Sequence, residues 1–237
     1  MLELNGVNTY YGNSHVLHDV SLRLEAGETV ALLGRNGVGK TTTMRTIMGL
    51  TPARRGQIRF KGTDIVRWKP YQVARAGIGF VPEERWIFPS LTVHQNLLIG
   101  LKSEADAHTQ GPGLWTLERC YEAFPLLKKR QHAKGRTLSG GEQQMLAIAR
   151  TLVGNPELIL IDEPTEGLAP KIVDMVAGII RDIGRQGMTV LLVEQKLSIV
   201  MELAERIYVI SKGMIQWHGT PGELRNNEAI RKSYLEV

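Results

Sequence analysis

Eight residues constrain this chain more than any others. Gly34-Arg35-Asn36-Gly37-Val38-Gly39-Lys40-Thr41 fits the spacing G-x-x-x-x-G-K-[ST]. The run stands between an apolar stretch at 29–33, which reads as a buried strand, and residues 40–49, which read as a helix. Glycines let a backbone wrap around a phosphate, and successive N–H groups then point inward at the positive end of the following helix. Lys40 has the reach for β- and γ-phosphates, and the Thr41 hydroxyl is a ligand for Mg²⁺. A chance match is uncommon, and the strand–loop–helix context makes a mere glycine-rich turn a poor alternative.

The rest of the chain suits such a unit. Its 237 residues are ordinary for one α/β domain carrying a sub-lobe, and ample for a core without disulfides. Cys120 is the one cysteine, which rules out a disulfide framework and points to a reducing compartment. The first residues lack the basic-then-apolar layout of a signal peptide. Apolar runs such as 158–161 and 190–193 are far too short to span a bilayer. The expectation is a soluble intracellular protein whose membrane role, if any, comes through a partner. Strand patterns recur at 2–33, 57–60, 78–81, 158–161, 188–193, 208–210 and 214–217, with helical patterns at 170–186 and 198–203 between them. That alternation predicts a largely parallel sheet covered by helices. From about 83 to 154 the strand signals vanish. Helical patterns at 92–101, 115–124 and 141–152, joined by polar loops such as 103–113, predict a helical sub-lobe inserted into a core of about 1–82 and 155–237. The whole chain reads as one domain.

Net charge is +5, from 29 Lys and Arg against 24 Asp and Glu. This suits an anionic ligand, nucleic acid or a membrane-facing surface without choosing among them. The densest basic run, 128–136, has few aromatics to stack bases on and reads as a solvated helix face, so no nucleic acid is expected.

Two further elements carry chemistry. Residues 158–161 form an apolar strand ending in Asp162 and Glu163. Asp162 at a strand's C-terminal end suits the carboxylate grip on Mg²⁺. Glu163 can face the γ-phosphate and orient or deprotonate water. Taken alone, Asp-Glu-Pro is equally good loop chemistry. Leu138-Ser139-Gly140-Gly141-Glu142-Gln143-Gln144 stands at the start of a helix, and a Ser-Gly-Gly opening makes a second anion site. The chain thus has two phosphate-binding helix starts about a hundred residues apart, more than one triphosphate requires. The simplest explanation is that the second serves a nucleotide held by another copy.

With these motifs in this order the chain closely resembles the ATP-binding subunits of ABC transporters, over essentially its whole length. The resemblance implies an α/β fold: a P-loop NTPase core of ABC type with an antiparallel β subdomain and an inserted α-helical subdomain. It also implies ATP hydrolysis with Mg²⁺. Two subunits would pair head to tail, with one nucleotide held by Asn36, Gly37, Val38, Gly39, Lys40, Thr41 and Thr42 of one copy and by Ser139, Gly140, Gly141 and Glu142 of the other. Lys40 and Glu163 would be catalytic. Tyr11 occupies the position where the family stacks an aromatic on adenine, with Val16 nearby; a bland core aromatic remains the other reading of Tyr11.

Two positions depart from the common family pattern. Glu83 sits where Gln is usual; its carboxylate could approach Mg²⁺ beside Thr41 and Asp162, or repel the γ-phosphate. Gln195 sits where His is usual. It can donate an N–H to the γ-phosphate but cannot become a cation or shuttle a proton, so it is expected to sense or position while Glu163 acts as base. These departures, with Phe88-Pro89-Ser90-Leu91-Thr92-Val93 and the run from Leu138 to Arg150, look like the LivF-type ATPases of branched-chain amino acid importers. Glu163-Pro164-Thr165-Glu166-Gly167-Leu168 also resembles the ATPases of urea and short-chain amide importers. The implied partners are a second ATP-binding subunit, either a like copy or a sister ATPase, transmembrane permease subunits and, indirectly, a solute-binding protein. The implied location is the cytoplasmic face of the inner or plasma membrane, peripheral through the permease. Non-transport ABC ATPases are disfavoured by the absence of coiled-coil insertions and of a second ATPase unit. Phe88, Leu91 and Val93 match the family's permease-docking surface, or they pack beneath the helical lobe. His15 and His18 carry no metal spacing beyond their own proximity, and Cys120 reads as a small core residue.

Overall fold

A computed structural model describes residues 1–102 and 114–235; the polar loop read at 103–113 lies outside them. The elements run β1 (Leu2–Tyr11), β2 (Ser14–Leu24), β3 (Thr29–Leu33), α1 (Lys40–Ile47), β4 (Arg55–Phe60), β5 (Thr63–Asp64), α2 (Pro70–Arg75) and β6 (Ile78–Val81). Four helices follow: α3 (Val93–Gly100), α4 (Leu117–Ala123), α5 (Pro125–Lys129) and α6 (Gly140–Leu152). The chain then alternates through β7 (Leu158–Asp162), α7 (Pro170–Arg185), β8 (Thr189–Glu194), α8 (Leu197–Leu203), β9 (Arg206–Ser211) and β10 (Met214–Gly219). Two short helices, α9 (Pro221–Asn226) and α10 (Glu228–Tyr234), close the described chain.

The strands form two sheets. One is antiparallel, in the order β2-β1-β4-β5. The other has the order β10-β9-β3-β8-β7-β6, with every pair parallel except the β9–β10 hairpin at its edge. Period-two alternation sorts the side chains of the parallel strands between two cores. Leu158, Leu160, Val30 and Leu32 face the antiparallel sheet and α1. Ile159 and Ile161 face the helices α3, α4, α6 and α7, while Ala31 and Leu33 meet α8 and α9. Strands buried on both faces are therefore apolar throughout. α7 shows why the helices settle here: Val173, Val176, Ala177, Ile180 and Ile183 recur at helical spacing and are all buried. Burying each of the larger ones contributes about 2 kcal/mol.

The fold is thus α/β, a P-loop core with an antiparallel β subdomain and an inserted helical segment between β6 and β7. Four short helices, α2, α5, α9 and α10, have no counterpart in the periodicity reading. Each has fewer than two full turns, too few for an apolar stripe. Thr220-Pro221-Gly222-Glu223 did carry a local start signal: the Thr220 hydroxyl accepts from Glu223 N, and the Glu223 side chain accepts from Thr220 N, a reciprocal cap with proline in the first turn.

Parallel register brings the functional loops to one edge. Leu33 pairs with Glu194 and Asp162 with Val193, so β3, β7 and β8 end side by side. The C-terminal edge of a parallel sheet is where loops of different strands meet a common ligand.

Candidate functional site

β3 is buried along its whole length and delivers the chain into the glycine loop. A side chain at Gly34 would bring a Cβ within 2.5 Å of the Ile210 carbonyl oxygen on β9, so only glycine lets the loop leave the strand at that angle. Gly213 N donates to the Val38 carbonyl at 2.9 Å and pins the loop to the β9–β10 turn. Gly39 starts α1 with φ 108°, left-handed backbone that favours glycine. No side chain caps this helix start, which leaves first-turn N–H groups directed at the cleft, the arrangement that favours an anion.

Lys40 is the cation of the cleft. Its Nζ lies 2.9 Å from Glu163 Oε1 and donates to the Arg35 carbonyl at 2.8 Å, with the lysine 3% and the glutamate 7% exposed. A buried ammonium needs such partners, since an isolated one is costly in low dielectric. Glu163 itself holds a left-handed backbone, φ 43°, unusual for a residue with a side chain and of the kind that gathers at functional sites. Its N–H donates to the Val193 carbonyl at 3.0 Å, which fixes the turn after β7. Burial would raise the Glu163 carboxyl, but the neighbouring Glu166 carboxyl and the Lys40 ammonium outweigh it and hold Glu163 below its usual range. Glu166 takes the opposite shift, up to about 7, because it shares a hydrogen bond with Glu163 and is partly desolvated. Of the two carboxyls, Glu163 is the one favoured in its ionised form.

Asp162 is fully buried at the end of β7, and both its carboxylate oxygens lack a hydrogen-bond partner. Burial pushes its pKa up to about 7, opposed first by the Thr41 hydroxyl and weakly by Lys40, and reinforced by Glu163 and Glu83. An orphaned buried carboxylate beside a threonine hydroxyl is the donor set a Mg²⁺ ion uses when phosphates and water supply its remaining ligands. Among the described residues no cluster of three or more His, Cys, Asp or Glu gathers for a metal, so an all-protein cage is not what these residues build. Glu83 lies across the cleft, its pKa raised by burial and then by Glu163 and Glu84.

The cleft measures about 280 Å³. Asn36, Gly37, Gly39, Lys40, Thr41 and Thr42 line one wall, Val16 of β2 another, and Glu83 and Glu163 the far side. Glu166 joins them, a site residue that the sequence reading quoted but gave no role. Its signal was there: an acid three residues past Glu163 in a Pro-Thr turn returns to the same cleft. Several expected residues lie outside this lining. Val38 is half-buried with its carbonyl turned to Gly213. Tyr11 is 45% exposed at the end of β1, its hydroxyl accepting from Thr51 at 3.4 Å; it is not the core aromatic that was the alternative. Gln195 follows β8 with an exposed side chain.

Ser139, Gly140, Gly141 and Glu142 open α6 on a different part of the surface. The Ser139 hydroxyl accepts from Glu142 N at 3.3 Å, and Glu142 Oε2 accepts from Ser139 N at 2.8 Å. The Arg85 guanidinium rests against Gly140, with Nε donating to Gln144 Oε1 at 3.2 Å. In the loop ahead of α3, Phe88 is exposed while Val93 is wholly buried in the helical core, so of the apolar residues read there only Phe88 and the half-exposed Leu91 face outward. Buried Asn96 shapes that loop, donating to the Phe88 and Thr92 carbonyls and accepting from Phe88 N. Trp86, 47% exposed, extends the outward apolar surface. His15 stacks on Tyr10, with the His18 ring tilted against His15, and Cys120 is buried. No helix among the described residues is long and apolar enough to cross a membrane.

Comparison with known proteins agrees with this geometry. The ABC transporter family model matches residues 17–166. The high-affinity branched-chain amino acid transport ATP-binding protein BraG of Pseudomonas aeruginosa is 42% identical over 237 residues, covering 99% of each chain. The lipopolysaccharide export system ATP-binding protein LptB of Escherichia coli strain K12 is 36% identical over 225 residues, 95% of this chain and 92% of its own. A probable branched-chain amino acid transport ATP-binding protein LivF of Archaeoglobus fulgidus is 32% identical over 238 residues, 100% and 99% of the two chains. Among solved structures, a dimeric ATP-binding cassette in a post-hydrolysis state, bound to ADP and Pi, superposes with a TM-score of 0.78 at 26% identity, covering 93% of this chain and 99% of that one. Loop, carboxylates, second helix start and whole-chain likeness converge: this chain belongs to the ABC transporter family, as an ATP-binding, ATP-hydrolysing subunit.

Proposed function

We propose that this ATPase powers an importer of branched-chain or other hydrophobic amino acids. The observation that carries the reading is the 42% identity with BraG across 99% of both chains, against 36% for the lipopolysaccharide exporter. In this reading ATP closes two ATPase subunits head to tail, closure moves a permease, and hydrolysis reopens the pair. The loop backbone with Asn36, Gly37, Val38, Gly39, Lys40, Thr41 and Thr42 holds the triphosphate, Tyr11 and Val16 receive the adenine, and Ser139, Gly140, Gly141 and Glu142 of the second subunit complete the site. Thr41 and Asp162 would hold Mg²⁺, with Glu83 a further candidate ligand, and the ion would supply neutralisation of phosphate charge. Glu163 orients the attacking water and accepts its proton. Gln195 donates to the γ-phosphate, and Lys40 leaves Glu163 for the phosphate oxygens. The second subunit is a like copy or a sister ATPase, and docking to the permease at Phe88, Leu91 and Trp86 places the protein at the cytoplasmic face of the membrane.

The resemblance of residues 163–168 to urea and short-chain amide importer ATPases supplies a second reading of the cargo. Uptake of labelled leucine and labelled urea in native cells carrying Lys40→Ala separates them. Loss of leucine uptake alone is the expected result. Loss of urea uptake alone overturns the cargo while keeping the mechanism. Unchanged uptake of both, with the variant expressed, overturns both cargo readings and turns attention to other amides first and then to a non-transport role.

A further inference from the structure

Glu194 ends β8 and is 2% exposed, yet no part of the ATPase reading uses it. Its Oε1 accepts from the Thr165 hydroxyl at 2.7 Å and from Thr165 N at 3.3 Å. Its Oε2 accepts from Gln195 N at 3.1 Å and from Lys196 N at 3.4 Å. Lys196 Nζ returns across the same junction to the Thr165 carbonyl at 3.2 Å. One buried carboxyl therefore serves two loops, four donors in all: the turn after β7 that carries Glu163, and the turn after β8 that carries Gln195. Register places Glu194 opposite Leu33, the last residue before the glycine loop.

We infer that Glu194 is a positioning residue that binds the Glu163 turn and the Gln195 turn into one rigid body, so that the water-activating carboxylate and the γ-phosphate-facing amide are presented together. This rests on the roles proposed for Glu163 and Gln195. The physical grounds are local. A buried polar side chain is retained only where its hydrogen bonds are made. Here the donors come from two segments almost thirty residues apart in the chain, separated by α7. Glu163 N is held by the Val193 carbonyl at 3.0 Å, so the backbone of both turns is fixed and only the tips of Glu163 and Gln195 remain free to adjust. Reacting groups held to within a fraction of an ångström lose little entropy on reaching the transition state. An apolar residue at 194 would fill the space and leave those donors unpaired. A Gln would satisfy one turn and present its own N–H₂ group to the donors of the other.

The test is steady-state ATP hydrolysis by the full chain, normalised to sites that bind a fluorescent ATP analogue, for Glu194→Gln, Thr165→Val, Gln195→Ala and the double variant Glu194→Gln/Gln195→Ala. Lys40→Ala and Glu163→Gln serve as controls. Glu194→Gln should lower kcat per competent site about tenfold or more, with KM changed less than about threefold, because positioning acts after ATP is bound. In the Gln195→Ala background the same change should cost less than about threefold, since the group it positions is already gone. Thr165→Val removes only the 2.7 Å bond and should lower kcat by a smaller factor, which keeps the inference testable if Glu194→Gln does not fold. A kcat per site that stays at the wild-type value while Tm falls would reduce Glu194 to a structural residue and overturn the inference. Costs that multiply in the double variant would also overturn it, because Glu194 would then act independently of Gln195. Turnover that survives in both control variants would instead overturn the roles of Lys40 and Glu163, and this inference with them.

Discussion

The two glycine-flanked helix starts of this protein look alike in sequence and differ in how they are finished. α1 begins at a left-handed Gly39 with no side-chain cap, beside a buried lysine and two buried carboxylates. α6 begins at Ser139, whose hydroxyl and backbone N–H are engaged with Glu142 in a reciprocal cap, and Ser139 is exposed. The first start leaves donors for a ligand and surrounds them with the charges needed to work on it. The second satisfies itself and has no carboxylate-and-lysine machinery of its own. The two helix starts thus differ in local finish, one uncapped within a charged cleft and the other capped at the surface.

The sharpest way to break this comparison is Lys40→Ala. If the uncapped α1 start and its charges hold the phosphates, removing Lys40, the buried ammonium lining the cleft among the described residues, should lower ATP turnover by about a hundred- to a thousandfold and weaken ATP binding by the isolated chain, read by hydrolysis assay and by titration with a fluorescent ATP analogue. Next comes Asp162. Its folded pKa, about 7, stands above the ordinary aspartate value of 3.8, so the folded state holds a proton that the unfolded state releases between those values. The contribution is fully present below about pH 4 and lost as pH rises through 7, where burying the charge costs on the order of a few kcal/mol. Asp162→Asn should therefore raise Tm at pH 8 in buffer free of Mg²⁺ and nucleotide, with little change at pH 4, while abolishing Mg²⁺-dependent turnover. A Tm unchanged at pH 8 would show that the carboxylate carries no such cost.

The smallest effect belongs to the capped start. Ser139→Ala should cost about 1 kcal/mol of stability through loss of the cap and leave single-chain ATP affinity intact. In a Glu163→Gln background, which should retain ATP, size-exclusion chromatography should show an ATP-dependent dimer that Ser139→Ala returns to monomer. A dimer that survives the substitution would remove Ser139 from the second site.

Much of this was legible because the informative residues are local. The glycine loop carries its own turn chemistry, the apolar strand before Asp162 announces its burial, and Ser139 with Glu142 spells a helix cap within four residues. What stayed hidden depends on residues far apart in sequence. Val93 belongs to an apolar loop by its neighbours, but α3 turns it into the core and leaves Phe88 and Trp86 outside. Glu166 reads as a turn acid until the Pro-Thr turn folds it back beside Glu163. Glu194 reads as a polar strand end, and nothing in its flanks says that Thr165 will reach it.

The sequence by itself determined the glycine loop, the strand-end carboxylates and the presence of a second glycine-flanked helix start, because each depends on spacing within one turn or strand. Only the tertiary structure decided which of Glu163 and Glu166 has the lowered pKa, which two turns share the Glu194 carboxylate, and which helix start is left uncapped. Those outcomes rest on parallel register that sets Leu33, Asp162 and Glu194 at one sheet edge, on the hydrogen bonds and charges that Lys40, Glu163 and Glu166 exchange there, and on burial, which raises the Asp162 pKa and makes an unpaired donor costly.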